Sequence, residues 1–382
     1  MHLSLPMTKR NLARIGVRVM LGITFVSLLA ACAGKAEEQA IEARLKGSSE
    51  GHILPQREDN YAVEIVDSNN AWVVGTYGMI LKIGGEGTKI ALSPSGTHSP
   101  LFCVSFDGTS NGLIGGQRGL MLATTDGGQH WAPVNLPPDV KDSNILALSR
   151  GKDRKQVWAI GPMGTIIHSA DDGKTWESLG LKKDITLNDV YFYDDKEGWV
   201  SGEFGTILHT TDGGHTWQEQ TNVSGLPKYT QEVTDDEARR RGIPRLEEGD
   251  LYFFQSVFPT PKDGLIVGAG GFILGTSDGG QHWSVIKTGT SNTLFSISLS
   301  NPQSMSGVST GVLGTLLRGR SGTWSVDPEV SERVFTWLRS VKFAPNGTYG
   351  LVAAGSGTIL VTHDGGDKWE PIPTELLAKA AG

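Results

Sequence analysis

Cysteine is almost missing from this chain: Cys32 and Cys103 are the only two in 382 residues. Cys32 closes an export segment, so the body of the protein keeps one thiol and has no internal disulfide to brace it. Cys103 lies in the apolar run Leu101 to Phe106 and reads as core rather than as a redox site. Positive charge is also short, with 34 lysines and arginines against 41 aspartates and glutamates and a net charge of -7. That balance excludes a general nucleic-acid surface. Long apolar runs stop at Val19 to Ala31, which is too short for a spanning helix. There is no glycine-rich phosphate loop opening a helix, no nucleophile elbow and no Cys/His pair. The histidines show no metal-ligand spacing, because His130, His215 and His282 occupy equivalent turn positions on different units of a repeat. No metal or cofactor is expected.

What the chain has in abundance is glycine, 51 residues, set out in a register. Gly198 to Trp217, GWVSGEFGTILHTTDGGHTW, alternates apolar and polar residues, turns at Asp212-Gly213-Gly214 and ends on a tryptophan, the pattern of a hairpin between short strands. Equivalent glycines are Gly78, Gly119, Gly164, Gly205, Gly271, Gly314 and Gly357, spaced 41, 45, 41, 66, 43 and 43 apart. In five units a tryptophan falls 12 residues later, at Trp131, Trp176, Trp217, Trp283 and Trp369. A period of this length with several short strands predicts an all-β, seven-bladed β-propeller of four-stranded blades, spanning residues 52–382. The first unit lacks the turn aspartate, with Ile90 in the tryptophan's place, and the sixth has a shorter hairpin ending on Trp324. A ring has to close, and strands from both chain ends sharing one blade would leave no sheet edge open. The candidate segments are His52 to Gln56 and Trp369 to Pro373.

The turns carry Asp126, Asp171, Asp212, Asp278 and Asp364. Each aspartate can accept hydrogen bonds from its own hairpin backbone, and the following glycines supply positive φ. These turns resemble the Asp-box, the S/T-x-D-x-G-x-T/H-W hairpin of sialidases and related propellers. The resemblance implies a structural element lying away from any catalytic face.

Residues 1–31 read as a signal peptide, with Lys9, Arg10, Arg14 and Arg18 ahead of the apolar run. The tetrapeptide Leu29-Ala30-Ala31-Cys32 resembles a bacterial lipobox, which implies lipidation of Cys32 and an anchor in the membrane. Ala33 and Gly34 follow without the aspartate that, by the same resemblance, retains lipoproteins in the inner membrane, so the periplasmic side of the outer membrane is expected. Residues 32–51 read as a solvated tether. The interval of 66 holds an insertion, Thr221 to Leu251, between the fourth and fifth units. Within it Thr234-Asp235-Asp236-Glu237 offers a capping box for a short helix stopped by Gly242 and Pro244. Arg239, Arg240, Arg241 and Arg245 are concentrated there among acidic neighbours, giving either a solvated, self-neutralising loop or a docking element.

An exported lipoprotein with seven units of the form G-W-x-V-G-x-x-G-x-I-L-x-T-x-D-G-G-x-x-W and an arginine-bearing insertion resembles the photosystem II stability/assembly factor family of propellers. The resemblance covers about Tyr61 to Trp369. It implies a non-enzymatic, monomeric scaffold that holds membrane-protein intermediates, with an arginine patch in docking, for which Arg239, Arg240, Arg241 and Arg245 are the nearest match. Relatives in non-photosynthetic bacteria imply a different partner, an envelope transporter of the resistance-nodulation-division type. The rival class is an Asp-box glycoside hydrolase, sialidase- or glucanase-like. A sialidase needs three converging arginines, a tyrosine nucleophile with a partnering glutamate, and an acid/base aspartate. Its arginine-isoleucine-proline start is absent, and Asp189, Asp195 and Glu203, which could face a central cavity, read rather as turn or surface residues.

Overall fold

The computed structural model describes Pro55, residues 57–224 and residues 251–380. The signal peptide, Cys32, the tether, and the arginines and capping box of the insertion lie outside the described residues.

Seven sheets succeed one another along the chain, each taking its strands in sequence order. In blade 4 these are Leu187–Phe192, Gly198–Gly202, Ile207–Thr210 and Gln218–Glu219. The second strand is buried along its whole length and the fourth is exposed, so burial falls from the middle of the blade outward. A strand packed on both faces needs small or apolar residues throughout, which is why GWVSG shows no alternation. The first strands line the axis: Asn60–Asp67, Leu101–Asp107, Ala147–Arg150, Leu187–Phe192, Phe253–Val257, Leu294–Asn301 and Leu338–Phe343. Each neighbours the next, and the seventh returns to the first. Blade 5 departs from four strands. Val223–Ser224, the start of the insertion, adds a fifth by pairing parallel to Trp283–Ile286.

Closure differs from the shared-blade expectation. Among the described residues, blades 1 and 7 are each built from their own four strands, with Glu370–Pro371 outermost in blade 7. Side chains take over the joining role. Asn60 Nδ2 donates to Ala354 O at 2.9 Å and to Thr358 O at 3.1 Å, and Gly357 N donates to Glu58 O at 2.7 Å. Val63, Val73 and Leu81 share one core with Tyr349, Leu351 and Ile359, and the C-terminal helix Thr374–Ala380 adds Leu377 to it.

Aromatic residues join consecutive blades. Trp72, Trp158 and Trp199 stand on second strands and stack face to face on Phe106, Phe192 and Phe258 of the following blade, with centroids 3.5, 3.5 and 3.7 Å apart. The Asp-box tryptophans Trp131, Trp217 and Trp283 then meet the same phenylalanines edge-on. Phe192 lies over Gly198, where a Cβ would fall 2.7 Å from the ring. The glycine opening the second strand is therefore room for the ring.

The unpaired edges of several axial strands are satisfied from the preceding blade. Ser149 Oγ accepts from Phe192 N, Ser296 Oγ from Val341 N, and Ser298 Oγ from Phe343 N, at 2.8 to 3.1 Å. Gln255 Oε1 accepts from Ile297 N at 2.8 Å. Polar residues inside the ring answer the rule that buried backbone N–H groups find partners.

Candidate docking surface

The propeller has two faces, and the repeat assigns different residues to each. On one lie the turns between third and fourth strands. In blade 4, Asp212 Oδ1 accepts from Thr210 Oγ1 at 2.8 Å and from Thr216 N at 2.9 Å, while Gly214 N donates to Thr210 Oγ1. Asp126, Asp171, Asp278 and Asp364 make the same bonds in blades 2, 3, 5 and 7. The Thr216 hydroxyl and N–H bonds hold the Asp212 carboxyl down at about 2, and the His282 N–H and ring hold Asp278 at about 2. The five aspartates thus sit one to a blade, each committed to its own hairpin. Trp158 Nε1 and Trp199 Nε1 donate to Gly213 O and Gly279 O, so the boxes of blades 4 and 5 also take a bond from the blade before.

The opposite face carries the entry to the axial strands and the turns between second and third strands. Asn60 pairs with Gly75, Leu187 with Gly202 and Leu294 with Gly311, which puts strand starts and turns side by side. Each turn contains the repeat's anchor glycine, and in blades 2, 3, 4 and 6 its N–H donates to the segment leading into the next axial strand: Gly119 to Ser143 O, Gly164 to Ile185 O, Gly205 to Leu251 O, Gly314 to Thr336 O. At Gly314, φ is +69° and a Cβ would overlap the Val334 carbonyl. That close approach explains the glycine. Leu251 ends the insertion, so the chain rejoins the ring on this face.

The residue before each anchor glycine also sits at positive φ: Tyr77, Arg118, Met163, Phe204, Leu313 and Ser356 lie between 52° and 58°. This conformation costs a non-glycine residue on the order of 1 kcal/mol. It sets large apolar side chains in solvent, Tyr77 at 43%, Phe204 at 56%, Met163 at 61% and Leu313 at 67% exposure, joined by Phe335 at 81% from the segment between blades 6 and 7. Scattered exposed apolar residues are ordinary, and here five of this size stand on one face of the ring.

Inside this circle opens the axial channel, about 470 Å³, lined by the first strands. The second residue of several of those strands is aromatic. Tyr61 lies 5.7 Å from Phe102 and is stacked on Trp337 at 5.8 Å, and Phe254 meets Phe295 at 5.4 Å. The corresponding residue in blade 7 is Arg339, whose guanidinium lies over the Phe295 ring at 5.0 Å. Burial lowers its pKa.

The channel corrects the reading of one carboxylate of three. Asp189 is neither turn nor surface: it is buried in the axial strand of blade 4 and accepts from Ser256 N and Oγ at 2.8 and 2.7 Å. Burial raises it to about 6. Glu203 is buried too and accepts from Thr186 N at 2.8 Å, whereas Asp195 accepts from Asp153 N in a loop. The edge of blade 5 needs an acceptor, and Asp189 is the one at hand.

Three arginines border the channel without converging. Arg150 pairs with Asp172 at 2.5 Å and donates to Arg154 O, and Arg154 is held by Asp107 and Phe106 O. Both stand at the Asp-box end, while Arg339 stands at the other. Tyr191 donates to Phe258 O, and burial pushes its phenol up to about 12, which keeps it protonated and bonded rather than nucleophilic.

Comparison with known proteins matches this architecture. A family profile described as Photosynthesis system II assembly factor YCF48 covers residues 90–186 and 175–291, more than half of the chain. The Photosystem II assembly lipoprotein Ycf48 of Synechococcus sp. (strain CC9902) is 26% identical over 326 residues, which is 77% of this chain and 85% of that protein. Among solved structures, YCF48 bound to D1 peptide has 20% identity and a TM-score of 0.61, covering 81% of this chain and 95% of that one. YCF48 from Cyanidioschyzon merolae has 22% identity and a TM-score of 0.55 over 73% and 86% of the two chains. The two structures share the fold, and the profile falls on the Asp-box hairpins of blades 2 to 5. On the strength of that match the chain belongs to the photosynthesis system II assembly factor YCF48 family.

Proposed function

We propose that this protein is a non-enzymatic scaffold that binds a membrane-protein complex and assists its assembly or stability. The observation that carries the proposal is the circle of exposed apolar side chains, Tyr77, Met163, Phe204, Leu313 and Phe335, around one end of the ring. Relatives named as assembly factors, one in a structure named for a bound D1 peptide, support a membrane-protein partner. The arginines of the channel are taken up by local carboxylates and a ring face, and the tyrosine is bonded, so the sialidase arrangement finds no support. Cys32 supplies the lipid that keeps the body at the bilayer as a monomer, on the periplasmic side of the outer membrane. Arg239, Arg240, Arg241 and Arg245 add a basic contact for the partner. In a host without photosynthesis, the partner is an envelope transporter.

The test is affinity purification of the full chain from detergent-solubilised membranes. A membrane-protein complex should co-purify with the wild type and be lost on Leu313→Asp with Phe335→Asp, and on changing the four insertion arginines to glutamate. Both sets should leave the melting temperature within about 2 °C. Retention of the complex by the apolar-face variant would refute that face as the docking surface, and retention by the arginine variant would remove the insertion from it.

A further inference from the structure

The channel mouth has a composition that the scaffold role leaves unused. Its rim is aromatic, from Tyr61, Phe102, Phe254, Phe295 and Trp337. Among the described residues, one cation stands in it. Arg339 is half-buried, lies against the Phe295 face, and makes no ion pair or hydrogen bond among the described residues. The carboxylates that act on Tyr61 at the rim are already engaged: Asp59 accepts from Ser356 N at 2.8 Å and Glu58 from Thr76 Oγ1 at 2.7 Å. Deeper in the channel, Lys342 is neutralised by Glu64 at 3.9 Å. A guanidinium partly removed from water and lacking an anion is costly, and its five donors match a carboxylate in a two-point fork. Stacking on Phe295 holds the guanidinium in place, leaving its donor edge free. The aromatic rim gives the mouth an apolar border around one placed polar group, as small-molecule sites have, while the channel behind it, about 470 Å³ in all, is lined mainly by polar groups.

We propose that the channel mouth is a binding site for a carboxylate carried on an apolar or aromatic body, with Arg339 taking the carboxylate and the aromatic rim taking the body. Two sources present that chemistry, a free organic monocarboxylate and the C-terminal end of a polypeptide. The site is separate from the outer apolar circle, so it stands or falls independently of the partner docking described above.

Isothermal titration of the purified propeller tests it with four probes: 3-phenylpropionate, 3-phenylpropionamide, acetyl-Leu-Phe with a free carboxylate, and the amide of the same dipeptide. Both acids should bind at least about tenfold more tightly than their amides, the expected size of a lost charge-assisted pair. Arg339→Gln should abolish the difference between acid and amide, while Arg339→Lys should restore part of it, because the charge returns without the planar fork. Since Arg339 makes no hydrogen bond in the fold and its unpaired charge is a cost, the variants should melt no lower than the wild type. Preference for phenylpropionate identifies a metabolite-type ligand, and preference for the dipeptide acid identifies a chain end. Equal binding of acids and amides, unaltered binding by Arg339→Gln, or no binding of either acid at millimolar concentration would overturn the proposal. Co-purification of a membrane complex by Arg339→Gln would leave the scaffold reading intact in each case.

Discussion

Trp158 of blade 3 lies flat on Phe192 of blade 4, with centroids 3.5 Å apart and planes 6° from parallel, and its indole N–H donates to Gly213 O at 2.8 Å. One side chain therefore contributes both apolar contact and a polar bond across a blade boundary. The same unit recurs at Trp199 and Phe258. Each blade leaves a face that only its neighbour covers, so these contacts decide whether separate sheets become one ring.

Trp158→Ala should destabilise the protein by about 3–5 kcal/mol, the range for deleting a buried aromatic side chain. Trp158→Phe keeps a ring on Phe192 and loses the bond to Gly213 O, costing about 1 kcal/mol for the bond plus a smaller packing loss. Urea midpoints at constant slope measure both. Equal midpoints for Ala and Phe would show that the stack contributes nothing.

The Asp-box aspartates make stability fall in acid. Asp212 and Asp278 titrate at about 2 in the folded chain, below the ~3.9 of an unfolded aspartate. A group with a lowered folded pKa contributes stability above the unfolded value and loses it as pH falls through the folded one. The window is therefore about pH 4 down to 2. The carboxylates are largely exposed and water screens them, so each box contributes little and the repeat makes the effect measurable. Asp212→Asn should flatten the fall in melting temperature across that window, leaving values above pH 5 nearly parallel to wild type. An unchanged acid slope would remove the hydrogen-bonded carboxylate as its cause.

Asp189 acts in the opposite sense and in a different window. Burial raises it to about 6, so between about pH 4 and 6 the folded state binds more proton than the unfolded chain, and stability falls as pH rises. Above pH 6 the buried charge remains a penalty of about 3 kcal/mol. Asp189→Asn keeps an oxygen to accept from Ser256 N and Oγ while removing the charge. It should raise stability at pH 7.5 and abolish the dependence between pH 4 and 6. A variant less stable than wild type at pH 7.5 would mean that the carboxylate is held charged by its two donors.

The blade count and register follow from residues whose reason is local. A glycine at positive φ beside a carbonyl and a tryptophan 12 positions on recur because every hairpin faces the same steric demand. Contacts between blades are not legible in that way. Trp158 meets Phe192 from 34 positions away, and no short-range period joins them. Asp189 misleads for a related reason: an aspartate in a strand suggests surface, yet it answers the open edge of another blade. Arg339 is one residue in a position where other blades carry Tyr61, Phe102, Phe254 and Phe295, so it shows only once the axial strands are arranged in a circle. Ring closure by side chains instead of a shared blade likewise depends on Asn60 reaching Ala354, 294 residues away.

The apolar circle separates stability from function. Leu313 sits at φ +53°, in a region that costs a branched side chain on the order of 1 kcal/mol, and is 67% exposed. Met163 at φ +58° is in the same position in blade 3. Glycine adopts these angles freely, though the unfolded chain gains entropy from it, and the two effects nearly offset. Leu313→Gly with Met163→Gly should therefore change stability by less than about 1 kcal/mol, with the sign toward stabilisation, while weakening capture of the membrane partner at least about tenfold. Calorimetry and quantitative pull-down on the same preparations measure the two quantities. A marked loss of stability with binding intact would show that these side chains serve the fold, and that the docking surface lies elsewhere on the ring.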